Sequence, residues 1–300
     1  FVTYARWKMP KLELAGGPEA RVEDPEAVNS SGVETAPIPL GDGSVLYFTA
    51  RLRPPVVQGS TWVGARRAGL SVPEEGGRSA DRSYRTELGD DGWSIPELVE
   101  FPGTTASNST KITWVSADEL SCYLTVSDAA GNPWVAMSRR EAATDPWGEL
   151  VRMETTGDGD AYDAVAMTGA VEKTIFGTTR SGGGDLYMHD PVAGPAQPLQ
   201  PAINTGGLEW SPRVGPAGEL YFLRGDHQLR FQSGKVGEVR LPGPHRALIV
   251  EAAPSPDGRW LFFTSPRLRP IEFDFDILVA PIADDGSLGG AVPVDDWRPF

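Results

Sequence analysis

The sequence predicts an all-β chain built from repeated units of four short strands. Three observations lead there. A pattern recurs along the chain: an acidic residue, a short apolar strand, a turn with Gly and Asp, and a second β-rich run, clearest in Glu251–Ser265. Its copies lie roughly 40–50 residues apart, the mark of a propeller or a similar array. Finally, 35 Gly and 27 Pro among 300 residues suit many tight turns, and no segment sustains a helical period.

In order, residues 1–29 hold two strand-like pieces, Phe1–Trp7 and Lys11–Leu14, expected to complete the last unit and close the ring. The first unit runs Glu34–Pro39, turns at Gly41–Gly43 and continues through Ser44–Arg51. A lid-like insertion, residues 52–82, precedes Ser83–Leu88 and Glu97–Phe101, which the Asp90–Gly92 turn separates. The second unit is Lys111–Val115, Leu120–Val126, Trp134–Met137 and Glu149–Arg152. The third is Asp163–Met167, Thr174–Thr178, Asp185–His189 and Gln197–Gln200. The fourth is Glu209–Pro212, Leu220–Leu223, Gln228–Phe231 and Gly237–Leu241, and the fifth runs from Glu251 to about Val294. The expectation is a five-bladed β-propeller of four-stranded antiparallel blades, one domain over residues 1–300. Six blades is the alternative, should residues 1–29 hold further strands.

Composition excludes several function classes. The formal net charge is −14 and no Lys/Arg-rich run exists, which disfavours a nucleic-acid or anionic-membrane partner. With 40% apolar residues the chain can bury a core. No apolar run approaches the roughly 18 residues that span a bilayer, so no membrane insertion is expected. A soluble protein is expected, either secreted or periplasmic or cytoplasmic; the opening at Phe1 is compatible with removal of a leader or tag. Cys122 is the only cysteine, so there is no internal disulfide and no CxxC metal or redox motif. Its place in the apolar run Leu120–Val126 predicts a buried structural thiol.

Ser255–Ser265 and Gly41–Arg51 resemble the TolB-type (PD40, WD40-like) β-propeller repeat, and Thr179–Met188, Ser138–Glu149 and Val28–Pro37 match its usual continuation. The resemblance covers nearly the whole chain from about Val28 and implies the propeller fold. It implies no single activity, because the family includes periplasmic scaffold proteins, peptidase propellers and polysaccharide lyases. Units two to four lack Pro-Asp-Gly; the fourth has only Gly215–Gly218.

Aligning the units on their first strands places Glu34, Lys111, Asp163, Glu209 and Glu251 at one position, ringing one mouth of the channel. Four carboxylates and an ammonium so confined would have their pKa values driven apart. That suits acid/base chemistry by Glu34, Asp163, Glu209 and Glu251, or a hard divalent cation. A purely structural ring, bonding neighbouring blades, is the alternative. Arg51, Arg180, Arg224 and Arg267 follow the second strands of their units and, with Lys111, are candidates to hold an anionic ligand; pairing with nearby acids is the alternative. Trp62 and Trp210 are candidates to stack on a sugar face. His227 and His245, in loops at the same mouth, are candidate metal ligands with Glu209 or Glu251, for Ca, Mn or Zn. Asp158–Asp163 gathers three carboxylates without EF-hand spacing. No nucleophile elbow, P-loop or dinucleotide fingerprint occurs. Two functions follow: a hydrolase or lyase acting on a small saccharide-like ligand under the lid, or a non-catalytic TolB-like propeller that binds a protein or peptide at an open mouth.

Overall fold

The computed structural model describes residues 28–30, 32–51, 80–105, 108–128, 130–153, 160–167, 173–242, 248–268 and 273–299. The strands expected within residues 1–27, and nearly all of the insertion, lie outside these residues. Arg82, placed at the end of the insertion, already belongs to a strand.

The described residues are all-β as expected, apart from one 3-10 turn at Val294–Asp296. The first set of strands is β1 (Val33–Leu40), β2 (Val45–Arg51) and β3 (Arg82–Gly89), with short β4 (Gly92–Trp93) and β5 (Glu97–Leu98) pairing onto β3. The second is β6 (Ser109–Val115), β7 (Ser121–Ser127), β8 (Pro133–Arg139) and β9 (Val151–Arg152). The third is β10 (Ala161–Met167), β11 (Lys173–Thr178), β12 (Asp185–Asp190) and β13 (Gly194–Pro198). The fourth is β14 (Glu209–Val214), β15 (Leu220–Arg224), β16 (His227–Gln232) and β17 (Lys235–Glu238). The last is β18 (Val250–Pro254), β19 (Trp260–Leu268), β20 (Phe273–Pro281) and β21 (Val292–Pro293).

The second, third and fourth sets are separate four-stranded antiparallel sheets. The last and first sets join through a single parallel bridge, Val33 to Phe275, into a mixed nine-stranded sheet. The first strands β1, β6, β10, β14 and β18 touch in that cyclic order, β18 returning to β1.

Second strands are apolar on both faces, and their period of two sends alternate residues to opposite neighbours. Tyr47 packs with Ile112 and Leu124 of the second set, whereas Leu46 and Phe48 pack with Phe262 and Ile277 of the last. Likewise Phe222 faces Ile175 and Leu186, and Tyr221 faces Leu261 and Phe263. Tyr123 and Phe176 share the cluster between the second and third sets. Each successive pair of sets thus encloses one apolar layer, and the last packs on the first. Cys122 is buried in the layer between sets one and two; desolvation pushes its thiol pKa up to about 12.

The first and last sets are also tied by polar contacts. The Asp295 carboxylate accepts from the backbone N–H of Val28 at 2.8 Å and of Asn29 at 3.1 Å. The Asn29 side chain donates to the Ile277 carbonyl at 3.0 Å and accepts from the Ile277 N–H at 2.7 Å.

Candidate functional site

Each first strand is broken by a β-bulge. The register of β1 slips between Thr35 and Ile38, that of β6 between Ile112 and Trp114, and that of β10 between Tyr162 and Val165. In β14 the slip lies between Trp210 and Arg213, and in β18 between Val250 and Ala253. Four bulges start on a left-handed non-glycine residue: Ala36 (φ 51°), Asp163 (φ 52°), Ser211 (φ 51°) and Glu251 (φ 51°). That conformation is costly for residues with a Cβ. The bulge interrupts the strand's own ladder, and a neighbouring set meets amides at or beside it. Ser83 Oγ accepts from the Ile112 N–H at 2.9 Å, Thr125 Oγ1 from Asp163 at 2.8 Å, and Gln228 Oε1 from Ala252 at 3.0 Å. Glu251 Oε2 accepts from Ala36 at 3.0 Å, linking the last set to the first.

These bulges correct the alignment of the charged ring. Asp163 and Glu251 are bulge residues, equivalent to Ala36 and Ser211. Glu34, Lys111 and Glu209 lie two residues upstream of their bulges, one tier further towards the starts of the strands. The five side chains therefore form two levels, because the unbulged sequence does not reveal the inserted residue.

At the bulge level, Lys111 Nζ reaches Glu251 Oε1 at 2.5 Å and Asp163 Oδ1 at 3.0 Å. Burial works against the ammonium, yet the two carboxylates outweigh it and hold the Lys111 pKa above its ordinary value. Arg213, 4% exposed, lies within their electrostatic reach. It donates to the Pro212 carbonyl at 2.8 Å. Desolvation moves its pKa down, against the pull of Asp163 and Glu251. Sequence reading missed this residue. The signal was the turn glycine: Gly43, Gly218 and Gly258 follow their bulge residues at one spacing, and counting back from them brings Arg213 level with Ala253.

The upper level repeats a local device. Ser30 Oγ donates to Glu34 Oε1 at 2.5 Å and accepts from the Gly32 N–H at 3.0 Å. Thr205 Oγ1 donates to Glu209 Oε1 at 2.6 Å and accepts from the Gly207 N–H at 3.1 Å. The shared pattern is Ser/Thr-x-Gly-x-Glu. A Cβ at Gly32 would come within 3.0 Å of the Arg51 carbonyl oxygen, so glycine lets the turn close over the carboxylate. Glu34 and Glu209 are both 0% exposed. Arg224 Nε also reaches Glu209 Oε1, at 2.8 Å, and its Nη2 donates to the carbonyls of Ala202 and Ile203.

The other candidates scatter around this end of the strands. Arg51 pairs with Asp81 at 2.5 Å. The Arg180 guanidinium lies over the Phe176 and Tyr187 rings. Trp210 donates its indole N–H to the Gly225 carbonyl at 3.0 Å. The His227 side chain is 63% exposed, with Nδ1 3.4 Å from Glu238. Trp62, His245 and the Arg267 side chain lie outside the described residues, as do Asp158 and Gly159 of the Asp158–Asp163 loop. Among the described residues no group of three or more His, Cys, Asp or Glu side chains is gathered to hold a metal. No described helix is long and apolar enough to cross a membrane.

No protein-family model and no curated protein matches the chain. Similar solved structures include a candidate TolB from Agrobacterium tumefaciens, 18% identical, covering 88% of this chain and 80% of that one at a TM-score of 0.49. TolB from Acinetobacter baumannii is 16% identical, with 87% of this chain and 54% of that one covered at 0.49. A thermostable family-43 glycoside hydrolase is 13% identical over 91% of this chain and 97% of that one, at 0.48. At such values no residue role is carried over from any of them.

Proposed function

We propose that the chain is a single-domain, five-bladed β-propeller acting as a non-catalytic, TolB-like platform for a protein or peptide. The cyclic contact of first strands and the apolar layer between every successive pair of sets support the blade count. The observation that carries the function is the state of the four candidate carboxylates. Glu34 and Glu209 have no accessible surface, and Asp163 and Glu251 share one ammonium. A general acid or base must come within hydrogen-bond reach of the reacting atom; Glu34 Oε1, Glu209 Oε1 and Glu251 Oε2 instead accept hydrogen bonds that hold strands and loops together.

One feature favours the second reading, a hydrolase or lyase acting on a small saccharide-like ligand. Lys111 keeps 19% of its side chain accessible while gathering two carboxylates, a start for acid/base chemistry. Glu209→Gln and Glu251→Gln separate the readings. If the carboxylates are structural, each substitution lowers stability by about 3 kcal/mol, and the wild-type protein turns over no chromogenic glycoside or uronide. Turnover by the wild type that either variant loses at an unchanged melting temperature would establish the enzyme.

A further inference from the structure

Away from the ring axis, the outer strands of the fourth set and the 286–288 turn of the last enclose a cleft of about 340 Å³, within the range of small-ligand sites. Tyr221, Arg230 and Gly237 form one cross-strand row over β15, β16 and β17. Tyr221 and Arg230 fill their places, but a Cβ at Gly237 would meet nothing within 4 Å, so the missing side chain leaves the row open over the guanidinium. The contacts of Arg230 are neutral: the Tyr221 hydroxyl, and the Gly286 carbonyl oxygen 3.5 Å from Nη1. Among the described residues it forms no ion pair. Leu241 and Leu288 line the apolar wall, and Arg240 neutralises Glu238 at the rim.

We infer that this cleft is a binding site for a small aliphatic monocarboxylate. The half-buried guanidinium lacks a counter-charge, and a carboxylate supplies one in the bidentate geometry that Arg favours. The leucine wall takes the aliphatic tail, and a single unpaired cation suits one negative charge rather than two. The site is independent of the axial carboxylates.

Isothermal titration with N-acetyl-L-leucine and N-acetyl-L-leucinamide tests it, since the two differ only in the charged group. The acid is expected to bind at least about tenfold more tightly than the amide and to weaken with added salt. Arg230→Gln should abolish the difference. Gly237→Leu, which fills the open place without removing any bond, should abolish binding at an unchanged melting temperature. Equal binding of acid and amide, or binding of the acid undiminished in Gly237→Leu, would overturn the assignment. So would the absence of heat for the acid at millimolar concentration.

Discussion

Glu119 shows how much depends on one side chain. It sits in a left-handed conformation (φ 57°) at the β6–β7 turn and gathers Tyr47 Oη at 2.5 Å, Arg85 Nε at 2.7 Å and Arg140 Nη2 at 3.4 Å. Arg140 in turn lies 4.2 Å from the centroid of the Trp147 ring. Desolvation alone would raise the Glu119 carboxyl, but the hydrogen bonds from Arg85 and Tyr47 together with the nearby guanidinium charges bring it below its ordinary 4.5. A depressed folded-state pKa means the ionised form stabilises the fold above the unfolded value and ceases to as pH falls through the folded one. The stability difference between wild type and Glu119→Gln should therefore be full at about pH 6 and shrink towards about pH 3. Urea titrations at the two pH values measure this; a difference independent of pH would show that ionisation of Glu119 contributes nothing.

At the scale of the strand, the bulge is the joint that carries one sheet to the next. Ser83 Oγ both accepts from the Ile112 N–H and donates to the Thr110 carbonyl at 3.0 Å, so one hydroxyl serves two groups of the following strand. Ser83→Ala and Thr125→Ala leave buried amides unmet and should each cost about 1–3 kcal/mol. Urea midpoints should fall while the m-value stays constant; a second transition would mean that the sets unfold separately. The strands themselves were legible because apolar alternation and turn glycines are local signals: β2, β7, β15 and β19 lie where the pattern puts them. The bulges were not, since Ala36, Thr113 and Ser211 share no residue type and a slipped register leaves no mark in composition. The misplaced alignment of Glu34 and Glu209 with Glu251 follows from that. The Arg224–Glu209 pair, by contrast, is the neighbouring-acid alternative already visible in the sequence.

On the scale of the whole molecule, the two ends of the described chain meet at Asp295. Asp295→Ala removes the acceptor of the Val28 and Asn29 amides, and bonds to a charged group carry about 1.5–3 kcal/mol each. The variant should melt at a lower temperature in one cooperative transition, seen by calorimetry. An unchanged melting temperature would mean that the Asn29–Ile277 and Glu251–Ala36 bonds and the apolar layer of Leu46, Phe48 and Phe262 hold the two sets together without Asp295. The bulge amides add a direction to this closure. Three of these acceptors, Ser83, Thr125 and Gln228, precede the strand they serve, so a chain emerging from the ribosome finds each of these partners already made. Ala36 instead waits for Glu251, 215 residues later. During synthesis the β1 sheet is thus left unfinished, its left-handed bend without the contact that rewards it, until Glu251 has been made.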